Sequence, residues 1–229
     1  LRGNMKKYLL ILSTTLALLF SPIASFAEVT IGVTMSSNSL DTAGSEDVDS
    51  NGTIDATKNV TDDFLVGSVF LENTVMGDTL GLTIGVDYIP FDADIDKRSI
   101  SQSSIKDSST VTTGTNSVEG TVEGHKTFYI QPGMRYGDSS MIYATFGIVM
   151  ADINVKNSSI SSTDLNKTVD LDGTKLGVGV KTVRDNGLVI KLDYTDTSYD
   201  AVSFTTSNNT KATADLDNTA LALSIGKQF

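Results

Sequence analysis

The stretch "LGLTIGVDYIP" places Leu80, Leu82, Ile84, Val86, Tyr88 and Pro90 on one face of an extended chain. Gly81, Thr83, Gly85 and Asp87 fall on the other. The same two-residue period separates Phe128, Ile130, Pro132, Met134 and Tyr136 from Thr127, Tyr129, Gln131, Gly133 and Arg135. It separates Leu176, Val178 and Val180 from Lys175, Gly177, Gly179 and Lys181, and Leu188, Ile190, Leu192 and Tyr194 from Val189, Lys191, Asp193 and Thr195. Period two sustained in this way specifies β-strands, and helical spacing is absent from these segments. The pattern predicts an all-β chain with eight strands, over 28–37, 61–72, 79–91, 121–137, 140–154, 169–184, 187–198 and 215–229. In Phe64–Leu71 and Met141–Ile153 both faces are apolar, so the period does not say which face points out.

The connectors fall into two classes. Those between the second and third strands, between "RYG" and "SMIY", and at "RDNG" are short turns. Those at 38–60, 92–120, 155–168 and 199–214 are long and rich in Ser, Thr, Asn, Asp and Gly, which reads as long polar loops. Short turns at one end and long polar loops at the other is the pattern of a closed, antiparallel, up-and-down transmembrane β-barrel. An even number of strands then puts both termini at the short-turn end.

Residues 1–27 read as a leader. Lys6 and Lys7 precede the apolar run Tyr8–Phe20, Pro22 ends it, and Ser25-Phe26-Ala27 resembles a signal-peptidase site. The run is shorter than the roughly 20 residues of a membrane-spanning helix. The expected division is therefore upstream residues and signal peptide over 1–27 and barrel over 28–229. The chain has 17 Lys and Arg against 28 Asp and Glu, a net charge of −11. Removing the leader takes away Arg2, Lys6 and Lys7 and no acid, which makes the charge three units more negative, −14. That balance repels nucleic acid. With no cysteine, disulfide staples and thiolate metal sites are excluded.

Period alone does not orient a barrel, because a soluble barrel and a membrane barrel share it with opposite faces inward. The polar face here carries Asp87, Arg135, Lys175, Lys181, Lys191 and Asp193, while its apolar opposite is nearly free of charge. Together with the leader and the loop asymmetry, this favours the membrane version. An eight-stranded barrel has an interior just wide enough for side chains to fill. These six residues, with Glu72 as a further acid, are thus expected to form a charge network that fills the lumen; an open polar pore is the alternative.

On "EVTIGVTM" directly after the leader, "YIQPGMRYG" and "SMIYATFGIVMADI" as a hairpin, and "ALALSIGKQF" ending in Phe229, the chain resembles the small eight-stranded outer-membrane barrels of Gram-negative bacteria. These are the opacity-type proteins and the membrane domain of outer-membrane protein A. The resemblance spans 28–229, with Lys227 standing where such barrels often carry an aromatic. It implies a monomer in the cell outer membrane, both termini periplasmic, among outer-membrane lipids and lipopolysaccharide. It also implies a role in envelope integrity or in surface interaction through the long loops, and Phe229 as the residue the barrel-assembly machinery reads. A narrow porin, a lipid-active barrel enzyme and a soluble exported binder stay open as other classes.

Two further patterns bear on chemistry. In "DVDSNGTID", Asp47, Asp49, Asn51, Thr53 and Asp55 stand at calcium-loop spacing with Gly52 at the sharp turn. Lys58 occupies the position of the bidentate acid. Any calcium affinity would therefore sit at the weak end, roughly 10⁻⁴–10⁻³ M; no other cofactor is expected. His125 is the single histidine, and no nucleophile motif accompanies it. It is expected to be a solvated residue at the barrel rim, and the chain is expected not to be an enzyme.

Overall fold

A computed structural model describes residues 27–47, 50–107, 110–159, 162–205 and 211–229. The expected leader, except for Ala27, and Asp49 of the calcium-loop pattern lie outside them. The described residues form strands β1 (Ala27–Asp47), β2 (Ala56–Met76), β3 (Leu80–Tyr88), β4 (Ala93–Asp107) and β5 (Thr110–Tyr136). β6 (Ser140–Ser159), β7 (Ser162–Val183), β8 (Leu188–Tyr199), β9 (Val202–Thr205) and β10 (Lys211–Gln228) complete them. Eight close into an antiparallel ring in the order β1-β2-β3-β5-β6-β7-β8-β10, and β10 returns to pair with β1 from Thr30↔Gln228 to Asp47↔Lys211. β4 and β9 stand off the ring; β4 pairs with β5 and β9 with β10.

The faces separate as the two-residue period requires. Ile31, Val33, Met35, Leu82, Ile130, Ile142, Leu176, Val178, Ile190, Leu192, Leu221, Leu223 and Ile225 all point outward and are exposed. An apolar belt running around the whole ring is far larger than the patches a soluble monomer tolerates. Inward lie Thr30, Glu72, Thr74, Thr83, Thr127, Gln131, Thr145, Lys181, Lys191, Asp193 and Ser224, all buried. Apolar outside and polar inside is the membrane arrangement, in which every backbone group of the spanning segment is paired around a closed ring.

The two segments with ambiguous faces resolve. In β2, Phe64, Val66, Ser68, Phe70 and Glu72 take the lumen side and Leu65 and Val69 the outer side. In β6, Met141, Tyr143, Thr145, Val149, Ala151, Ile153 and Val155 are buried inside, whereas Ile142 and Phe146 face out.

The connectors at 38–60, 92–120, 155–168 and 199–214 correct the sequence reading. They are mostly strand, not loop, because the ring strands continue well past the apolar belt. Above the apolar belt, in the upper part of the expected strands and on into these extensions, the pattern inverts. Asp63, Asp152, Asp170, Asp196 and Asp217 point outward and are exposed. Ala151, Ile153, Val155, Leu171, Val202 and Leu216 form a buried apolar cluster, with Leu40, Val122 and Phe204 packed against it. Water has replaced lipid outside, so the apolar face turns in. Polar composition concealed strands that Thr and β-branched residues favour.

Above the belt the ring also divides. β2–β3 pairing ends at Val69↔Tyr88, and β7–β8 pairing ends at Gly173↔Tyr199. What remains is two four-stranded sheets, β2-β1-β10-β9 and β4-β5-β6-β7, enclosing the apolar cluster. One split follows "IPFD", where Pro90 removes a donor beside a bulge in β5 at Gly124, whose φ is 62°. The seam between β7 and β9 is packed, since Leu171 and Val202 share the cluster. The seam between β2 and β4 has exposed banks, with Leu65 at 72% and Phe91 at 73% exposure.

The three short turns, the start of β1 and Phe229 gather at the opposite end of the barrel. At "RDNG" the Gly187 N–H donates to the Arg184 carbonyl at 2.7 Å, with Gly187 at φ 75°.

Candidate functional site

The inward face of β2 carries Glu72, 0% exposed, paired in register with Thr30 near the start of β1. β7 lies four strands away around the ring in either direction, so a bond from Glu72 to β7 crosses the full lumen. Glu72 makes that bond. Lys181 Nζ donates to its Oε1 at 3.0 Å and Lys191 Nζ, from β8, to its Oε2 at 2.7 Å. Lys181 and Lys191 are direct partners in the β7–β8 register. Like charges opposed in this way repel, and one carboxylate with an oxygen for each ammonium resolves the repulsion.

A shell of neutral donors and acceptors completes this layer. Tyr129 OH donates to Glu72 Oε2 at 3.1 Å, and Lys181 also reaches Thr74 Oγ1 at 2.7 Å. Thr74 and Thr83 hydroxyls bond at 2.9 Å, and Gln131 Nε2 donates to Thr145 Oγ1 at 3.1 Å. Lys191 Nζ lies 5.1 Å from the centre of the Phe70 ring, 5.4 Å from that of Tyr129 and 5.6 Å from that of Tyr143. Cation–π contact with three rings supports an ammonium held away from water.

A second layer lies toward the outer end. Ser68 Oγ donates to Asp87 Oδ2 at 2.7 Å, and Tyr143 OH donates to Asp193 Oδ1 at 2.7 Å. Lys175 borders the same space as these acids and forms no hydrogen bond or ion pair among the described residues. Glu72, Asp87 and Asp193 against Lys175, Lys181 and Lys191 balance to zero.

Five of the six residues read from sequence as a lumen network thus meet inside the barrel. Arg135 does not. It faces inward in register but stands exposed at the short-turn mouth, where its backbone N–H donates to the Thr79 carbonyl at 2.8 Å. Its place so near the strand end hands it to water. Sequence reasoning missed Tyr129, Tyr143 and Phe70 as partners: the face of Tyr129 was legible, Phe70 and Tyr143 lie in the two segments whose faces the period left open, and nothing in the period marks an aromatic as a lid on a charge.

His125 also departs from the solvated-rim expectation. It faces the interior, and its Nε2 lies 3.1 Å from Tyr199 OH with the rings edge-on at 6.3 Å. Among the described residues Tyr199 is its side-chain hydrogen-bond partner, and no carboxylate bonds to it.

In "DVDSNGTID", Asp47 closes the β1–β2 hairpin. Its Oδ1 accepts from the Asn51 N–H at 3.1 Å and its Oδ2 from the Gly52 N–H at 2.8 Å, while Asn51 Oδ1 accepts from the Thr53 N–H at 2.8 Å. Both oxygens of Asp47 are therefore turned to the turn's backbone, and the Asp55 N–H donates to the Glu46 carbonyl at 2.8 Å. Among the described residues no three acidic, His or Cys side chains converge as a metal cluster.

No family model and no curated protein matches the chain. Solved structures do. Ail, the attachment invasion locus protein of Yersinia pestis, was solved with the heparin analogue sucrose octasulfate. It aligns over 89% of this chain and 99% of its own at 13% identity, with a TM-score of 0.41. The outer-membrane protease OmpT of Escherichia coli aligns over 89% and 96% at 11% identity with a TM-score of 0.49, and neisserial surface protein A over 86% and 97% at 8% identity with a TM-score of 0.34. With its closed ring of eight antiparallel strands, apolar belt and polar lumen, this chain has the all-β fold of the small outer-membrane β-barrels.

Proposed function

We propose that this chain is a monomeric barrel of the Gram-negative outer membrane with a surface-interaction role, its termini periplasmic and its lumen closed to ions. The observation that carries the closed lumen is the single buried carboxylate of Glu72 bridging Lys181 and Lys191 across the full width of the barrel. An ion crossing this layer would have to displace charges that satisfy one another. The surface role rests on the two-sheet extension, which presents outward carboxylates and four hairpin ends beyond the apolar belt. Outer-leaflet lipids and lipopolysaccharide would surround the upper edge of that belt.

Purified protein in planar bilayers tests the closed lumen. The expected record is silent or shows brief small openings; a steady channel current would overturn the reading in favour of a narrow porin.

The assembly role of Phe229 belongs to the same reading. Its N–H donates to the Val29 carbonyl at 2.9 Å, so it extends the β1–β10 ladder, and its side chain is 77% exposed. An aromatic at that height suits the interface girdle of a membrane barrel. Deleting Phe229 is expected to lower the amount in the outer-membrane fraction much more than deleting several residues within Ser101–Asn116. A quantitative blot compares the two. Normal accumulation without Phe229, with loss in the hairpin deletion, would remove its assembly role.

A further inference from the structure

A cavity of about 360 Å³ lies directly above the lumen network, where the ring divides into two sheets. That volume is at the small end of the range for ligand sites. Its floor is polar: Lys175, Asp87 and Asp193 reach it, and so does Thr127. Its upper wall is apolar, with Leu40, Leu171 and Leu216 contributed by both sheets. The cavity is therefore amphipathic along the barrel axis, because it spans the level at which the lumen changes from polar to apolar.

It also has a side door. Phe64 and Val66 on β2, and Ile89 and Phe91 in the segment leading into β4, line the cavity from the two banks of the open seam. The seam starts just beyond the Val69↔Tyr88 pair, with Tyr88 and Leu65 outward at the edge of the apolar belt. The lower end of this gap therefore adjoins the upper edge of the apolar belt, where an apolar molecule partitioned at the membrane boundary would lie beside it.

The floor selects the head group. Thr127, 1% exposed, lines the cavity and has a hydroxyl without a hydrogen-bond partner among the described residues, and His125, whose Nε2 meets Tyr199 OH, lines it beside Thr127. A buried polar atom left unpaired carries a desolvation cost that a ligand can remove. A carboxylate head would find Lys175 but be repelled by Asp87 and Asp193. An ammonium head would find the two acids but be repelled by Lys175. A hydroxyl both donates and accepts, and suffers neither repulsion. We propose that this cavity is a binding site for small uncharged amphiphiles bearing a hydroxyl, such as medium-chain alcohols or phenols, which reach it laterally through the β2–β4 seam.

Titration calorimetry of the full chain in lipid nanodiscs, with empty nanodiscs of the same lipid as reference, tests this with octanol, octanoate and octylammonium at neutral pH. Octanol is expected to bind saturably with one site per barrel, and both charged probes at least tenfold more weakly. Val66→Trp fills the seam and Ala222→Phe fills the cavity from β10; each is expected to abolish the saturable component while keeping folded gel mobility. Ile142→Ala, on the lipid face of β6, is expected to leave it unchanged. Octanol heats no greater than partition into empty nanodiscs would overturn the site. A charged probe binding as tightly as octanol would overturn the ligand class, and saturable binding that survives both folded filling variants would overturn the location.

Discussion

Glu72→Ala is expected to lower the stability of the folded barrel by about 3–5 kcal/mol, the range for breaking a buried ion pair on one side. The cost comes less from the lost attraction than from what stays behind. Lys181 and Lys191, opposed in register and both buried, would face each other with no anion between them. Glu72→Gln keeps the volume and removes only the charge, and should fall in the same range. The triple variant Glu72→Leu, Lys181→Met, Lys191→Met removes all three charges together. It should recover most of the loss, since apolar packing often equals a buried ion group. Urea unfolding in lipid vesicles, followed by the fraction with folded gel mobility, measures all three. If Glu72→Ala costs less than about 1 kcal/mol, the value of an exposed surface pair, the carboxylate does not hold the lumen together.

The second large effect is expected at the closing seam. Gly32 on β1 stands opposite Gly226 on β10, and the Phe70 ring lies over both. A Cβ at Gly32 would come within 2.4 Å of the Ile225 carbonyl oxygen and 2.5 Å of the Phe70 ring. At Gly226 it would come within 2.9 Å of the Ile31 carbonyl oxygen. Two glycines thus make the groove that admits a large ring into a narrow lumen and allow the first and last strands to meet beneath it. Gly32→Leu is expected to cost about 3 kcal/mol or more, at or beyond the upper end of overpacking penalties, because one obstacle is backbone and cannot rotate away. Gly67→Leu is the matched comparison, since a Cβ there meets nothing within 4 Å. Equal refolding yields and equal urea midpoints for the two variants would show that the seam does not depend on small residues.

Much of the barrel was legible because lipid and lumen impose opposite demands on alternate residues. Leu82, Ile130, Val178 and Leu192 announced a common face without any tertiary information, and the leader with the charges on the opposite face pointed that common face outward. Phe64–Leu71 resisted for a reason now visible: Phe70 is an inward aromatic that covers Lys191, and Phe64 and Val66 line the cavity above it. Met141–Ile153 resisted because it crosses from one zone to the other, with Tyr143 inside among charges and Ile153 inside an apolar core. The strand extensions were missed where polarity was taken as the mark of a loop, although Leu40, Val155 and Val202 supply inward apolar residues there. In the candidate site, charge and parity identified five residues of six. The sixth, Arg135, has the right parity and the wrong height, and height is not written in a two-residue period.

The exchange of faces along each strand has a consequence for how the protein sits. β7 runs from outward Val180, Val178 and Leu176 to outward Asp170 and from inward Lys181 to inward Leu171. Sinking the barrel would carry Asp170, Asp152 and Asp217 into hydrocarbon, each at a cost that rises toward the midplane. Raising it would strip lipid from Ile31, Ile142 and Ile225 at the other rim. The sequence therefore acts as a depth gauge: immersion is set by where the two phases trade places, and tilt is limited because outward acids on β2, β6, β7, β8 and β10 mark that level around most of the circumference.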